Sequence, residues 1–213
     1  MEHIIVRREE EKDYRKVEEI TRKAFYNLYI PGCVEHYLVH IMRNHEDFIP
    51  ELDFVIEKDN EIIGNIMYTK SKLVEECGKE KQIITFGPVC ILPKYQRMGY
   101  GKMLLEYSFT KALEMGYDVI VIFGSPSNYV SVGFQCCKKY HVCAENGKYP
   151  TAMLVKELKQ NALQGKKWIY YGSPVMNIDE KDAEYFDECL EKMDKKYQTS
   201  QEEFYIYSHS FVE

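Results

Sequence analysis

From Ile83 to Phe123 the chain runs through a long apolar stretch, a loop carrying two glycines, an amphipathic stretch and a second apolar run. Few folds accommodate that order. Ile83 to Leu92 reads as a strand interrupted at Gly87-Pro88. Proline has no N–H to give to a ladder, so a bulge or a break in pairing is expected there. Leu105, Phe109, Ala112 and Leu113 share one face of a helix over Gly99 to Met115, and Gly116 stands where a C-terminal cap belongs. Tyr117 to Phe123 is nearly all apolar, as in a strand buried on both faces. Gly124, Ser125 and Pro126 then turn the chain.

The flanking sequence extends this unit into a mixed α/β fold, a twisted sheet with flanking helices. Ile4 to Arg7 reads as a short strand. Tyr14, Val17, Ile20 and Ala24 line one helix face, which Pro31-Gly32 ends. Val34, Tyr37, Leu38 and Ile41 predict a second helix. Phe54 to Glu57 and Ile62 to Lys70 predict strands joined by a hairpin at Lys58, Asp59, Asn60 and Glu61. Lys138 to Ala144 and Ala152 to Glu157 predict two more, joined through Asn146-Gly147. Ala183, Phe186, Leu190, Met193 and Tyr197 form one helical stripe, with Asn177 and Glu180 as its capping box. That stripe is expected to be core packing or a subunit contact, the latter in a homodimer. An aromatic-rich end, Phe204 to Val212, follows. The expected organisation is a main domain over 1–158 and a helical extension over 159–213 packed on it.

The formal net charge of −6 shows no basic footprint, which argues against nucleic acid as a partner. An acidic surface favours a cationic substrate or serves only for solubility. None of the seven cysteines forms a Cys-x-x-Cys pair, so neither a zinc site nor any other metal is expected. The start of the chain has no signal-like apolar stretch, and the run Val119 to Phe123 is far too short to span a bilayer. A cytoplasmic protein with no membrane partner is expected.

The chemistry resides in Val89-Cys90-Ile91-Leu92-Pro93-Lys94-Tyr95-Gln96-Arg97-Met98-Gly99-Tyr100-Gly101-Lys102. Here a strand, a loop and a helix start follow one another. Gly99 and Gly101 let backbone approach a ligand closely. N–H groups at a helix start have no internal partner and can face an anion such as a pyrophosphate. Arg97 and Lys102 stand beside it. A Walker loop is excluded because Met103 follows Lys102, and a dinucleotide fingerprint because Leu104 occupies the third glycine position. Gly-x-Gly alone reads equally well as a helix-start turn.

The longer string Gln96-Arg97-Met98-Gly99-Tyr100-Gly101 resembles the signature of the GNAT superfamily of N-acetyltransferases, Gln/Arg-x-x-Gly-x-Gly/Ala after a strand ending in an apolar residue and proline. Phe86-Gly87-Pro88-Val89 looks like that family's fourth strand and Tyr117 to Phe123 like its fifth. Tyr129-Val130-Ser131-Val132-Gly133-Phe134 looks like its Tyr-x-x-x-Gly-Phe segment. The resemblance covers roughly residues 3 to 157. It implies the GNAT-type acyl-CoA N-acyltransferase fold and direct transfer of the acetyl group of acetyl-CoA to an amine, a small molecule before a protein. A non-catalytic acetyl-CoA sensor or interaction module is the alternative.

The resemblance also implies roles. Gln96 belongs to the cofactor signature, and backbone amides from Arg97 through Met98, Gly99, Tyr100, Gly101 and Lys102 would hold the pyrophosphate. Val89, Cys90 and Ile91 would pair with the pantetheine arm as with an added strand. The Ile91 N–H would polarise the thioester carbonyl, a contact typically worth ~3 kcal/mol of barrier. Tyr129 would protonate the leaving thiolate, although a packing role is the alternative in a chain with eighteen tyrosines. The sequence Phe123 to Asn128 departs from the family's usual Asn-x-x-Ala-x-x-Leu-Tyr, so an asparagine contact to CoA is not carried over to Asn128. Glu75, Glu76, His141 and Glu51 are candidate bases that read equally as solvated surface groups. Cys90 as an acyl carrier competes with simple packing.

Overall fold

The computed structural model describes residues 3–213. In chain order its elements are β1 (Ile4–Arg8), α1 (Tyr14–Phe25), α2 (Glu35–Met42), β2 (Phe54–Lys58), β3 (Glu61–Glu75), β4 (Glu80–Ile91), α3 (Tyr100–Glu114), β5 (Val119–Phe123), α4 (Pro126–Tyr129), β6 (Gln135–Cys136), β7 (Val142–Cys143), β8 (Met153–Glu157), β9 (Trp168–Tyr171), α5 (Glu180–Glu188) and α6 (Thr199–Ser208). The strands form one mixed sheet ordered β1-β2-β3-β4-β5-β8-β6, with β9 pairing with β3 and β7. This is the mixed α/β architecture expected from the sequence.

Local chemistry explains the central hairpins. Asp59 and Asn60 both adopt left-handed backbone (φ 50° and 67°), the conformation that a two-residue turn between β2 and β3 requires. In the β3–β4 ladder Ile66 faces Val89 and Tyr68 faces Phe86, so Met67 stands opposite both Gly87 and Pro88. That is the bulge expected at the proline. Period-two alternation sorts side chains between the layers. Phe54 and Ile56 join the cluster under α3, with Tyr100, Leu104, Leu105 and Phe109. Val55 and Met67 join the cluster under α1 and α2, with Val17, Ile20, Val39 and Met42.

Several expectations are corrected. On α3, Leu113 is exposed and Leu104 is buried in its place. On α2, the fully covered residues are His36, Leu38, Val39 and Met42, because α5 packs on this helix beside α1. Asn146-Gly147 makes a local turn (Ala144 N–H to Lys148 O, 2.9 Å) but joins no hairpin. Instead β7 runs parallel to β9, and β8 lies between β5 and β6. Asp179, not Asn177, caps α5 by accepting from the Lys181 N–H at 2.8 Å. The helix stops at Glu188, leaving Leu190 and Tyr197 exposed. The following segment is drawn away from helix by α1 and its loop: Arg22 donates to Glu191 O (2.7 Å), Tyr26 to Met193 O (3.0 Å) and Asn27 to Asp194 O (2.9 Å). Those bonds satisfy carbonyls that a helix would otherwise use.

A carboxyl cluster lies where β1, β2 and α2 meet. Arg43 pairs with Glu9 at 2.7 Å and Glu18 at 3.0 Å, and Asn65 Nδ2 donates to Asp53 Oδ1 at 2.9 Å. Burial first, and a hydrogen bond with the Glu9 carboxyl second, push Asp53 up to about 9. An acid raised in the folded state contributes stability that is full below its unfolded pKa and lost as pH rises through the folded one. Chemical denaturation of the wild-type protein should therefore show stability falling from pH 5 toward pH 9. Asp53→Asn, a mimic of the protonated acid, should flatten that fall by on the order of 1 kcal/mol or more.

Candidate active site

β4 and β5 run parallel and meet in register only at Ile84 and Ile120. Beyond that point no ladder joins Thr85–Ile91 to β5. The Leu92 N–H donates to Ile63 O on the β3 side (2.8 Å). Strand alternation therefore turns the N–H groups of Ile91 and Val89 away from β3, toward the gap. Cys90 faces the opposite way, with Sγ 3.4 Å from Thr21 Oγ1 on α1. Gly64 seats this part of β4 against β3: a Cβ there would lie 2.6 Å from Cys90 O.

The chain then makes a short turn over Pro93–Tyr95, and Gln96 Nε2 donates to Ile91 O at 2.9 Å. Gln96 thus ties the loop to the strand end. Arg97 (φ 62°) and Gly99 (φ 92°) are left-handed and curl the backbone into the start of α3. The N–H groups of Arg97, Met98, Gly99, Tyr100, Gly101 and Lys102 have no hydrogen-bond partner among the described residues; the first such bond in α3 runs from Met103 to Gly99 (3.0 Å). A Cβ placed on Gly99 would meet nothing within 4 Å. Arg97, Met98 and Lys102 are exposed, whereas Tyr100 is buried and meets Tyr95 edge-on at 6.1 Å. An open nest of donors beside an unpaired strand edge fits a ligand with a phosphate group and an amide-bearing arm.

Tyr129 closes the other side. Pro126 starts the single turn of α4, and the Tyr129 ring packs against Phe86 (5.6 Å) and Phe134 (5.9 Å). A Cβ on Gly124 would lie 2.6 Å from the ring, so glycine leaves room for it. The hydroxyl has no hydrogen-bond partner among the described residues. Burial pushes its pKa up, and the neighbouring phenols of Tyr29 and Tyr207 push it further. A protonated, unengaged phenol is able to give a proton.

Tyr29 and Tyr207 were invisible as site residues in sequence. Tyr29 lies in the α1–α2 loop, stacked on Phe204 of α6 at 4.6 Å, and Tyr207 lies on the same helix. The aromatic-rich tail was their only signal. The candidate bases lie elsewhere. Glu75 and Glu76 pair with Lys166 and Lys167 at the far end of β3, while His141 and Glu51 are exposed on turns.

Cys33 Sγ lies 3.2 Å from His36 Nδ1, and His36 Nε2 lies 3.1 Å from Asp187. The order resembles a nucleophilic triad. Burial pushes the Cys33 thiol up and His36 down to about 4, so both stay neutral. Asp187 is instead committed to Arg22 at 2.7 Å. This cluster clasps α5 to α1 and α2.

The sequence profile of the Acetyltransferase (GNAT) family matches residues 17–135, more than half of the chain and all of the strand–loop–helix unit. The chain belongs to the GNAT acetyltransferase family. It is 25% identical over 100 residues to the uncharacterized N-acetyltransferase YjhQ of Escherichia coli K12, a match covering 47% of this chain and 55% of that protein. The fold of this GNAT acetyltransferase is shared with the E. coli family member YhbS solved in complex with CoA (TM-score 0.72, 21% identity, 84% of this chain and 94% of that one). It is also shared with a Brucella melitensis family member solved with acetyl-CoA (TM-score 0.63, 19% identity, 82% and 98%).

Burial pushes the Cys90 thiol up to about 11, which keeps it uncharged at neutral pH and unsuited to carry an acyl group. Iodoacetamide applied to the native GNAT protein at pH 7.5 should label exposed Cys77 and Cys189 and spare Cys90. Peptide mass spectrometry reads the outcome, and rapid Cys90 labelling would reinstate it as a nucleophile.

Proposed function

We propose that this protein moves the acetyl group of acetyl-CoA directly to the nitrogen of a small amine. The observation that carries the reading is the succession of unpartnered N–H groups from Arg97 to Lys102, set beside the open edge of β4. Those amides would hold the pyrophosphate, with Arg97 and Lys102 adding positive charge and Gln96 holding the loop in place. The Val89 to Ile91 backbone would bind the pantetheine arm. When bound, acetyl-CoA supplies the thioester carbon that the amine attacks. The Ile91 N–H polarises the carbonyl oxygen, and Tyr129 delivers a proton to the departing sulfur.

The C-terminal residues favour a small acceptor over a protein. α6 is tied to the α1–α2 loop by Gln201 to Asn27 O (3.0 Å) and Ser200 to Leu28 O (2.7 Å). The last residues cross to the β7–β8 connection through Thr151 N–H to Ser210 O (2.9 Å) and Val212 N–H to Tyr149 O (2.8 Å). We read 1–158 as the transferase domain and 159–213 as an extension that narrows its acceptor side. No helix among the described residues is long and apolar enough to cross a membrane.

Acetyl-CoA-dependent thiol release across monoamines, polyamines, amino acids and peptides tests the reading. Tyr129→Phe should lower kcat about 10²- to 10³-fold while leaving acetyl-CoA affinity unchanged. Unchanged turnover would remove Tyr129 from the mechanism. Cofactor binding without thiol release from any amine would favour a sensor.

A further inference from the structure

The gap that opens beyond Ile84 and Ile120 needs support on both faces of the sheet, because unpaired backbone on two facing strands is satisfied most simply by closing the ladder. Successive strand residues point to opposite faces. On the α3 face the support is Tyr129. Its ring lies 5.6 Å from that of Phe86 on β4, and a Cβ on Gly124, just after β5, would lie 2.6 Å from it. One side chain thus touches both strands. The opposite face carries Thr85 of β4, between Ile84 and Phe86, which both point to the α3 side. It also carries Val121 of β5, and Phe123 two residues on, with Val121 in the same apolar cluster as Tyr170.

Tyr170 of β9 supports that second face. It stands opposite Leu73 in the β3–β9 ladder, and its side chain extends as far as β4. The hydroxyl lies 2.7 Å from Thr85 Oγ1, which lies 2.9 Å from Ser71 Oγ. The ring lies 5.7 Å from the Phe123 ring of β5. Ser71, Thr85 and Tyr170 are all buried. Gly172 leaves the hydroxyl its place, since a Cβ there would lie 2.8 Å from it. Tyr170 therefore touches both strands just past their last ladder contact, and it bonds to Thr85, the first residue of β4 that β5 leaves unpaired. Tyrosine is rigid and has few torsions, so a ring held at its tip and along its edge is a spacer of fixed length.

We propose that Tyr170 is a positioning residue that holds β4 and β5 at the separation the pantetheine arm requires, so that a strand from residues 159–213 sets the affinity of the transfer gap for acyl-CoA. The inference rests on the reading above in which the arm pairs with Val89 to Ile91. Without the spacer the two strands relax toward ladder geometry, and fewer molecules present an open edge. Apparent affinity for the arm falls with that fraction. The donor nest at Arg97 to Lys102 lies on the loop beyond Ile91 and is fastened by Gln96, so groups bound there do not depend on Tyr170. Tyr170 acts through Thr85 and Phe123 and carries out no chemical step.

Titration calorimetry tests this with two ligands: CoA, and 3′-phospho-ADP, its nucleotide half without the arm. Tyr170→Phe removes the bond to Thr85 but leaves Ser71 and Thr85 paired with each other, so the fold should hold. It should weaken CoA binding about threefold or more, the scale of one hydrogen bond, and leave 3′-phospho-ADP unchanged. Thr85→Val removes the same bond from the β4 side and should weaken CoA by at least that factor. Because both act on one contact, the double variant should lose no more than Thr85→Val alone. Thr85→Val also reads the bond where Tyr170→Phe fails to fold. CoA affinity unchanged in both variants, or losses that multiply in the double variant, would overturn the role of Tyr170. An equal loss for CoA and 3′-phospho-ADP would mark a general disturbance of the fold and overturn it too. Wild-type protein that binds 3′-phospho-ADP as tightly as CoA would overturn the pairing of the arm with β4, and wild-type protein that binds neither would overturn the acetyl-CoA reading itself.

Discussion

The parting of β4 from β5 is the constraint on which the site depends. Two adjacent parallel strands ordinarily continue their ladder, and each unpaired N–H and C=O is then expensive to bury. Here the ladder holds at Ile84 and Ile120 and goes no further. The β3–β4 bulge at Gly87-Pro88 redirects the strand just before the gap. What would be a defect in an ordinary sheet is an edge ready to pair with an extended ligand. The loop at Arg97 to Lys102 begins where that edge ends, with its N–H groups unpartnered among the described residues. Gln96 fastens loop to strand, so that donor nest and open edge are held as one surface.

Proton management is the second theme. The groups nearest the opening are neutral because burial makes charge unfavourable: the Cys90 thiol, the Tyr129 phenol and the Tyr29–Tyr207 pair all lie above their ordinary values. A protonated phenol suits a proton donor, whereas a protonated thiol is a poor nucleophile. The same burial thus leaves the Tyr129 phenol with a proton to give and the Cys90 thiol suited to packing. Cys33 and His36 follow the packing pattern, despite their triad-like order with Asp187.

The C-terminal residues pack on the α1–α2 loop. Only four residues of this part, Trp168–Tyr171, enter the sheet as β9. The rest is held by side chain–backbone bonds from Arg22, Tyr26, Asn27, Ser200 and Gln201, with the Arg22–Asp187 ion pair and the backbone bonds of Ser210 and Val212 beside them. Such bonds are individually modest, about 1 kcal/mol each. Together they fix α6 over the α1–α2 loop and bring Phe204 against Tyr29.

The sequence by itself determined what depends on near neighbours. The bulge at Gly87-Pro88, the Asp59-Asn60 turn, the α3 boundaries and the donor nest all follow from a few adjacent residues, because proline, left-handed glycine or asparagine and free helix-start amides act within one turn. The roles of Ile91 and Tyr129 came by resemblance, and the structure supplies surroundings compatible with them. Local pattern misled where distant partners compete. The stripe from Ala183 to Tyr197 has helical spacing, yet Tyr26 and Asn27 claim its backbone beyond Glu188. Asn146-Gly147 forms its turn, but β7 finds β9 instead of β8. The stacking of Tyr29 on Phe204 belongs to the tertiary structure alone. No spacing rule links a loop after the first helix with a helix near the end of the chain; only packing against a common sheet brings them together.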